Sequence, residues 1–596
     1  MKGLHLAAIG NCAVASLIAQ DGRHVWFGFP RLDGDPVFCA LVGGREPERG
    51  FMDVRLRNAA DWRQTYVRNT AVLETVGVDT AGDQLKITDF APRFERFGRS
   101  FRPPQLVRRI EPISGQPRVC VRVRPLFEYG QFAPAVSLGS NHIRYSGATA
   151  TLRLTCDMPI SYLMEETEFV LDRPVNLFIG ADESVPENPD SLGQHFLKET
   201  ISYWQQWARG LSVPFEWQDE VIRSAITLKL CSYEDSGAIV AALTTSIPEA
   251  DGSTRNWDYR FCWLRDAFFT VGALNRLGAT RTMEGFTRFV INAVLSNEGS
   301  TIAPLYPITG GRDVAERIAT ALPGFLGAGP VRVGNAAASQ TQHDAYGSIV
   351  LTAAQLFWDR RLPNTDAPGL YRRLRRVGQL ALTHAFDADA GPWEYRGRLV
   401  PHTYSSAMCW AAVHRLGMIA RALGEADDAR EWAKQAHDIR AKILARATTR
   451  DGWFSGVLDG EVVDASTLLL PEIGLVEAGD PRMQATLDMT ARRLVRNGFV
   501  MRYDEPDDFG KPETAFLICT FWYCDALALG GRRQEAREIF ANAMKCGNHV
   551  GLLSEDFDLR SQTLWGNFPQ AYSHVGLIHS ASRLSRGWEE ALWRAS

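Results

Sequence analysis

The sequence predicts an all-β sandwich at the N-terminus, followed by an all-α domain whose helices form two layers. Three observations support this prediction: period-2 alternation of apolar residues in the first part, a helical period from about residue 217 onward, and alternation of amphipathic with wholly apolar helices in that second part. At 596 residues, the chain is also longer than a single hydrophobic core usually serves.

The strands of the first part are marked by apolar residues at every second position. In residues 117–127, PRVCVRVRPLF, the side chains of Val119, Val121 and Val123 alternate with Cys and Arg, as expected of a strand with one buried face. Residues 150–158, ATLRLTCDM, repeat the pattern. Because Gly, Pro, Asn and Asp interrupt such runs at short intervals, the sequence favours a sandwich over strand–helix–strand units.

A polar, proline-containing passage, VPENPDSLG at residues 185–193, separates the two parts. It leads into a helical pattern, HFLKETISYWQQWARG. We therefore expect a sandwich domain over residues 1–189, a connecting helix over residues 190–216 and a helical domain over residues 217–596.

The helical domain carries two kinds of helix. Residues 370–382, 425–447 and 531–544 place their apolar side chains on one stripe, which is typical of a helix with one face in solvent. Residues 405–423 and 515–529 are apolar all round, so they must be buried on every side. The alternation predicts an inner ring of helices inside an outer ring, about a dozen helices in all.

Composition excludes several classes of function. Apolar residues make up 45% and charged residues 22% of the chain, and the net charge of −4 gives no basic surface for nucleic acid. No apolar run reaches the roughly 18–20 residues of a membrane span. The ten cysteines show neither a CxxC pair nor zinc-like spacing, so we expect reduced thiols. The first residues lack the features of a signal peptide, and we expect a cytoplasmic protein.

Residues 255–266, RNWDYRFCWLRD, are the most unusual segment. Trp257, Tyr259 and Trp263 alternate with Arg and Asp residues at neither a strand period nor a helical one. Burying a charge without a partner is costly, and aromatic planes beside fixed ionic hydrogen-bonding groups suit a sugar, which has apolar faces and many hydroxyls. The alternative is an aromatic core crossed by Arg–Asp pairs.

Two loop carboxylates are candidates for acid–base chemistry. Glu394 lies in GPWEYRG between Trp393 and Tyr395, where aromatic neighbours would desolvate a carboxyl and favour the protonated form that a general acid needs. Glu555 lies in GLLSEDFD beside Asp556, and we expect a polar, partly hydrated surrounding that keeps it ionised and able to activate water. Such a pair is the minimum for cleaving a glycosidic bond. The alternative is a surface residue and a charge at a helix start.

Several long motifs resemble those of one known family. RNWDYRFCWLRDA, GNAAASQTQHDAYG, GPWEYRG with HTYSSAMCW, LLSEDFD and GNFPQAYSH stand in the order seen in glycoside hydrolase family 15, the glucoamylase and bacterial trehalase family. The beginning, AIGNCAVASLIAQDGRHVWFGFPRLDGDPVFCALVGG, is similar to the family's bacterial N-terminal domain. The resemblance therefore spans nearly the whole chain.

The resemblance implies an N-terminal β-sandwich joined to a catalytic (α/α)6 barrel of six inner and six outer helices. It also implies exo-acting, metal-independent hydrolysis with inversion of the anomeric centre. By motif, Glu394 is the general acid and Glu555 the general base, and inversion predicts carboxyl groups about 6.5–9.5 Å apart. Arg265 and Asp266 match the pair that holds hydroxyls of the terminal sugar.

Weaker assignments complete the implied site. Trp257 and Trp393 would supply stacking faces, and Glu513 in KPETAF matches an acidic position that either binds a sugar hydroxyl or pairs with an arginine. Residues that either support the pocket or make ordinary structural hydrogen bonds are Gln342, Asp344, Asn567, Gln570 and His574. No metal site is expected, because the histidines show no HxH or HExxH spacing. Leu243, Ser406 and the KPET run depart from the family pattern, which predicts a reshaped rim on the leaving-group side.

We therefore predict an inverting α-glucoside hydrolase that releases β-D-glucose from the non-reducing end of α-glucans or oligosaccharides. Hydrolysis of α,α-trehalose is the alternative within the family. An inverting disaccharide phosphorylase is more remote, because phosphate would replace water and the base Glu555 would be unnecessary. A carbohydrate-binding protein without catalysis would lack one of the two carboxylates. The expected partner is a carbohydrate substrate, with no cofactor, nucleic acid or membrane, and a homo-oligomer is compatible with the sequence.

Overall fold

Two antiparallel β-sheets make up the N-terminal part of the structure. This computed structural model describes residues 3–185, 187–295, 302–312, 314–362 and 366–592. One sheet has seven strands, in the order Leu6–Gly10, Ala15–Ala19, His24–Phe29, Phe51–Leu56, Arg118–Arg124 and Phe169–Val170, with Asp35–Phe38 paired to His24–Phe29. The other has eight, in the order Ala135–Leu138, His142–Ser146, Thr151–Cys156, Val175–Gly180, Gln105–Ser114, Gln84–Phe90, Leu73–Asp79 and Ala59–Tyr66.

The two sheets share one hydrophobic core, so this part is a β-sandwich, as predicted. Val119 and Val121 come from the first sheet and Leu152 and Leu154 from the second, and all four are fully buried in one cluster. Burial of each such side chain contributes about 1.5–3 kcal/mol. The alternation that predicted these strands therefore reports the side chains that hold the two sheets together.

The helix Pro189–Arg209 follows the last strand of the sandwich. Its first residue is proline, whose missing N–H would be unpaired there in any case. The side chain of Asn188 accepts a hydrogen bond from the backbone N–H of Asp190 and caps the helix, which ends at Gly210. Trp204 on this helix is fully buried.

Within the described residues, twelve elements of the helical part form two layers that alternate along the chain. The inner elements, each packed on the next and the last on the first, are Leu264–Arg276, Asp344–Ala354, Thr403–Leu423, Ala465–Leu469, Leu517–Leu529 and Ala571–Leu584. The outer elements are Gln218–Leu230, Thr280–Phe289, Ala367–His384, Ala426–Ala447, Pro481–Arg493 and Arg533–Ala543. The predicted inner and outer rings are confirmed as an (α/α)6 arrangement.

One inner position is a short 3-10 turn rather than a full helix. Residues Ala465–Leu469 form this turn, and Pro471 follows it closely. Proline has no N–H for a helical hydrogen bond and clashes with the preceding turn. Gly474 then adopts a φ of +83°, a left-handed conformation that is open to glycine and would interrupt a helix.

The outer helix Ala426–Ala447 shows how well the stripe was predicted. Ala429, Trp432 and Ile439 are buried against the inner layer as expected, whereas Ala433 is exposed. The stripe is therefore one residue narrower than the apolar pattern suggests.

The inner helices are buried on nearly all sides, in agreement with their apolar sequences. Fifteen residues of Thr403–Leu423 are buried. The next long inner helix, Leu517–Leu529, begins two residues later than position 515, because Ala515 and Phe516 pair as a strand with the segment Asp556–Asp558. No helix in the described ranges combines the length and apolarity needed to cross a membrane.

Candidate active site

A pocket opens at the end of the ring where the inner helices begin. Its walls come from residues 255–266, 392–396, 502–509 and 570–572, together with Glu555. It encloses about 920 Å³ of space not filled by protein atoms, including its open mouth. The inner helices Leu264–Arg276, Leu517–Leu529 and Ala571–Leu584 begin at this pocket, and the positive ends of their dipoles favour the carboxylates that line it.

Glu394 is held by two donors on a tight turn. Its backbone adopts a left-handed φ of +61°. Its Oε1 accepts hydrogen bonds from Trp263 Nε1 at 2.6 Å and from Arg265 Nη2 at 3.1 Å. No described residue donates to Oε2, and the side chain is 22% exposed. Oε2 is therefore the atom available to a ligand.

Glu555 is almost completely buried, with 1% of its surface exposed. Its Oε1 accepts a hydrogen bond from the hydroxyl of Tyr259 at 2.6 Å. Gly566 packs against the same side chain with a φ of +76°, and a Cβ at that position would lie 2.6 Å from the Cβ and 2.9 Å from the Oε2 of Glu555. Only glycine leaves room for the carboxyl where it stands.

An aromatic pair joins the two carboxyls. The rings of Tyr259 and Trp263 meet edge to face with centroids 5.4 Å apart. Tyr259 donates to Glu555 and Trp263 donates to Glu394, so each carboxyl has its own donor from one segment of the chain. The geometry keeps the two acids in separate environments within one pocket.

Burial raises the pKa of the Glu555 carboxyl well above its ordinary value. The nearby carboxylates of Asp556 and Glu249 raise the pKa further, whereas Arg502 and the hydrogen bond from Tyr259 lower it. The expectation of a partly hydrated surrounding for Glu555 is therefore wrong. Its polar sequence neighbours lie in the interior, where residues from distant segments cover them.

Glu249, Glu555 and Asp556 bring carboxylate oxygens within 4.8 Å of one another. Arg502 Nη2 lies 2.8 Å from Glu249 Oε2 and 3.4 Å from Asp556 Oδ1. Arg255 adds a second guanidinium, 3.6 Å from Glu249. The spacing of the three carboxylates could hold a cation, but Arg502 already places positive charge among them. Burial raises the pKa of Asp556 to about 7.

Arg265 and Asp266 lie in the first turn of the inner helix Leu264–Arg276, and both line the pocket. Arg265 Nη1 donates to Gln342 Oε1 at 3.1 Å and to Asp344 Oδ2 at 3.2 Å, so these two residues fix the arginine. Burial raises the pKa of Asp266 to about 7, against the opposing charge of Arg265.

Trp257 and Trp393 also line the pocket. Trp393 Nε1 donates to Asp464 Oδ2 at 2.8 Å, which fixes the orientation of its ring. The guanidiniums of Arg332 and Arg396 lie 5.2 Å and 4.4 Å from the centroid of the Trp257 ring. Trp257 is thus already engaged by cation–π contacts, which limits the face that it offers to a sugar.

Other charges of residues 255–266 have a structural role. Asp258 and Arg260 form a buried ion pair at 2.7 Å. Arg260 also donates to the carbonyl of Gly34 at 2.8 Å and to the hydroxyl of Tyr129 at 2.9 Å, both in the sandwich. Both interpretations of the segment therefore hold: its middle ties the sandwich to the helical part, while its aromatic residues and its end line the pocket.

Glu513 lies apart from these residues. Its side chain is 67% exposed and forms an ion pair with Arg560 at 3.2 Å, and it is not among the described residues that line the pocket. Of the two roles considered for Glu513, the structure shows the pairing with an arginine.

Three further candidates brace the segments that carry the site. His574 Nε2 accepts a hydrogen bond from the backbone N–H of Leu553 at 3.2 Å, and the N–H of Gln570 donates to the carbonyl of Leu553 at 3.0 Å. Asn567 Nδ2 donates to the carbonyl of Trp257 at 2.9 Å. Gln570 also lines the pocket.

Several residues of the pocket were not assigned as site residues from the sequence, and four of them contact the carboxyls or their neighbours: Tyr259, Trp263, Glu249 and Arg502. The first two belong to the unusual segment, but their hydrogen-bond partners lie 296 and 131 residues away in sequence. A local pattern does not reveal such pairs. Glu249 and Arg502 are single charged residues in loops, and the sequence carries no signal for them.

Comparisons with known proteins identify the family. The family model described as "Glycosyl hydrolases family 15" matches residues 217–582, and the model described as "Trehalase-like, N-terminal" matches residues 5–162. A trehalase of Thermoplasma volcanium is 30% identical over 593 residues, which cover 98% of this chain and 93% of that protein. A trehalase of Mycolicibacterium smegmatis is 30% identical over 98% of this chain and 91% of its own length.

The fold also matches a solved structure along its length. A bacterial glucoamylase complexed with acarbose superposes with a TM-score of 0.68 at 14% identity, covering 98% of this chain and 94% of that one. This likeness confirms the sandwich-plus-ring fold. Because the first family model covers more than half of the chain and relatives at 30% identity cover nearly all of it, the chain belongs to glycoside hydrolase family 15.

Proposed function

We propose that this family 15 glycoside hydrolase cleaves α,α-trehalose into two molecules of glucose, with inversion at the attacked anomeric carbon. The observation that carries the proposal is that Glu394 and Glu555 line one pocket, each on its own hydrogen-bond donor. The substrate comes from the relatives, because proteins named trehalase match 96–98% of the chain.

The terminal glucose would bind at the deep end of the pocket. Arg265 is held in place by Gln342 and Asp344, so it offers its remaining donor capacity in a fixed direction. Asp266 lies beside it, and among the described residues its nearest side-chain partner is the Arg265 Nε at 3.8 Å. A sugar hydroxyl can therefore donate to Asp266 and accept from Arg265.

In the proposed chemical step, Glu394 donates a proton from Oε2 to the glycosidic oxygen as the bond from that oxygen to C1 breaks. A water molecule attacks C1 from the opposite face and gives its proton to Glu555. Glu394 is left as a carboxylate whose Oε1 accepts from Trp263 and Arg265, and both donors stabilise the charge that develops there.

Glu555 must be ionised before it can accept that proton. Tyr259 and Arg502 favour its ionised form, but burial and the neighbouring carboxylates hold its pKa well above the ordinary value. We therefore expect the base to become active at a higher pH than an ordinary glutamate. Inversion further predicts that the two carboxyl groups lie about 6.5–9.5 Å apart, with the attacking water between Glu555 and C1.

A substrate panel tests the assignment directly. Initial rates are measured with trehalose, maltose, isomaltose, kojibiose and starch, and NMR identifies the anomer of the first product. Trehalose should give the highest kcat/KM, with α- and β-glucose formed in equal amounts before mutarotation: β from the attacked sugar and α from the leaving sugar. A preference for maltose or starch would instead support the broader α-glucan hydrolase predicted from the sequence. Formation of α-glucose alone from trehalose would exclude inversion, and glucose phosphate formed in phosphate buffer would show a phosphorylase.

Substitution of the two carboxyls tests their roles. Glu394→Gln and Glu555→Gln should each lower kcat by at least about 10²–10⁴-fold, since each removes a group that transfers a proton. Glu513→Gln is the matched control, because that glutamate sits in an exposed ion pair outside the pocket. It should keep the wild-type rate. Near-wild-type turnover in either of the first two variants would remove that residue from the mechanism.

We also propose that the protein acts in the cytoplasm, with a carbohydrate as its partner. All ten cysteines are free thiols, and nine of them are buried. This cysteine usage is typical of a reducing compartment. Fractionation of the native host cells, with trehalase activity as the marker, tests this location.

A further inference from the structure

A hairpin turn at residues 507–510, here called the rim turn, forms part of the pocket wall. Asp507 and Gly510 exchange two backbone hydrogen bonds, at 3.0 Å and 3.1 Å, and Gly510 has a φ of +93°. Asp507, Asp508 and Phe509 all line the pocket. The turn therefore presents two carboxylates and one aromatic ring at the site.

The base of the rim turn is anchored to the protein by its first carboxylate. Asp507 accepts hydrogen bonds from the guanidinium of Arg255 and from the hydroxyl of Tyr503. Its Oδ1 also accepts from the N–H of Phe509 at 2.8 Å. Arg255 in turn donates to the carbonyl of Gly510 at 3.0 Å. These contacts hold the turn in one conformation.

The tip of the rim turn is fastened to the loop that carries Glu394. Asp508 Oδ2 accepts from the backbone N–H of Arg396 at 2.6 Å, and its Oδ1 accepts from the N–H of Gly397 at 2.9 Å. These two amides follow Glu394 by two and three residues. With hydrogen bonds of this length, no sugar ring passes between the turn and the acid loop.

Phe509 completes an aromatic and cationic wall. Its ring meets that of Trp257 edge to face, with centroids 5.1 Å apart. The guanidinium of Arg396 lies 4.4 Å from the Trp257 ring centroid and 5.8 Å from that of Phe509. Glu316 fixes Arg396 through a hydrogen bond of 3.0 Å. The ring of Phe509 is thus packed against neighbours that are themselves held in place.

The solvent exposure of the pocket residues indicates that Phe509 and Arg396 lie on the leaving-group side of the scissile bond. Glu555 is 1% and Asp266 is 8% exposed, whereas the side chain of Arg396 is 33% exposed and Phe509 is 37% exposed. The deep residues hold the terminal sugar, so the leaving group points toward the mouth. Glu394, which protonates the leaving oxygen in the proposed mechanism, lies on the same loop that the rim turn binds.

We propose that the rim turn restricts this enzyme to disaccharides, with Phe509 contacting the single leaving sugar and Asp508 closing the path that a longer leaving group would take. The proposal rests on the hydrolase function given above and names its substrate class. Phe509 is a specificity-determining residue in this arrangement, and Asp508 positions the acid loop.

The test compares trehalose with the trisaccharide that extends it by one α-1,4-linked glucose, so that the leaving group is glucose or maltose. Wild-type kcat/KM should fall by at least about tenfold from the disaccharide to the trisaccharide, the scale of a steric mismatch in a preformed pocket. Phe509→Ala should raise KM for trehalose several-fold and leave kcat within about twofold. It should also reduce the ratio of kcat/KM for trehalose to kcat/KM for the trisaccharide. Equal efficiency of the wild type on both substrates, or an unchanged ratio in the variant, overturns the proposal.

Two variants of Asp508 test whether its hydrogen bonds to the acid loop matter for catalysis rather than for folding of the protein. Asp508→Ala should lower kcat, because the acid loop is no longer fastened, and Asp508→Asn should recover part of that loss through its remaining amide oxygen. Phe97→Ala is the control, because this ring is 91% exposed at the turn of a separate two-stranded sheet, and it should match the wild type on both substrates. If maltose is cleaved but trehalose is not, the assignment of trehalose as substrate is wrong while the proposed length limit stays testable. A comparison of kcat/KM for maltose and maltotriose then tests that limit.

Discussion

Removal of one charge beside Glu555, the proposed base, should shift the pH profile of this enzyme in a defined direction. Glu249 has a carboxylate oxygen within 4.8 Å of one on Glu555, and its charge contributes to the raised pKa of that base. The substitution Glu249→Gln keeps the size of the side chain and deletes the charge. Because the proposed mechanism requires ionised Glu555, the acidic limb of kcat/KM should move to lower pH.

The magnitude follows from the distance. At 4.8 Å and an effective dielectric constant of about 20, one unit charge changes the ionisation free energy of another by about 3.5 kcal/mol, or about 2.5 pH units. This figure treats the charge of Glu249 alone; Arg502 lies 2.8 Å from Glu249 and offsets much of that charge, so the net effect is smaller. In the variant, Arg502 stays near Glu555 with one partner fewer. We expect a net shift of about 1 pH unit.

The assay is the initial rate of glucose release from about pH 4 to about pH 8, at substrate concentrations well below KM, so that the profile reports the free enzyme. Glu216→Gln is the matched control, because Glu216 also pairs with an arginine, Arg537, but lies outside the pocket. Its profile should coincide with that of the wild type. An acidic limb that stays in place, or moves to higher pH, in Glu249→Gln would refute the reasoning.

Two further substitutions test packing and burial. Gly566→Ala should lower kcat at least about tenfold, because the added Cβ would displace Glu555. Gly452→Ala is the control: it carries a similar backbone strain of about 1–2 kcal/mol, but no described atom lies within 4 Å of the added Cβ, so this variant should keep the wild-type kcat. Burial raises the pKa of Asp525 to about 7, although Arg583 lowers it, against about 3.9 in the unfolded chain. The unfolded chain therefore loses this proton first, and the free energy of unfolding falls as pH rises from about 4 to about 7. Asp525→Asn should be more stable than the wild type by at least about 1 kcal/mol at pH 7.5 and equally stable near pH 4, as measured by thermal unfolding; a gain of the same size at both pH values would contradict a titrating Asp525.

The architecture follows from periodicity because burial of one face is a local property of a strand or helix. The stripe of Ala426–Ala447 and the alternating valines of Arg118–Arg124 both report the side that the core covers. The short inner element Ala465–Leu469 departs from the pattern because Pro471 stops a helix that the apolar content alone would allow.

The site was only partly accessible to sequence because its chemistry depends on long-range contacts. The motifs indicate Glu394 and Glu555, but the surroundings of Glu555 are set by Tyr259 and Glu249, which lie about 300 residues earlier in the chain. Its neighbours Ser554 and Asp556 are polar, so sequence alone suggested hydration. In the fold both are buried and hydrogen-bonded, and Glu555 is a buried group with a raised pKa.

The cluster of Glu249, Glu555 and Asp556 also favours water over phosphate as the nucleophile. Arg502 is paired with Glu249 and Asp556, and Arg255 is paired with Asp507 and Glu249, so the cations on this side of the pocket already have partners. A phosphate dianion near the base would have to break these pairs and approach carboxylates that lie within 4.8 Å of one another. Water meets no such repulsion and can donate directly to a carboxylate. The arrangement that raises the pKa of Glu555 therefore also disfavours an anionic nucleophile, which favours hydrolysis over phosphorolysis.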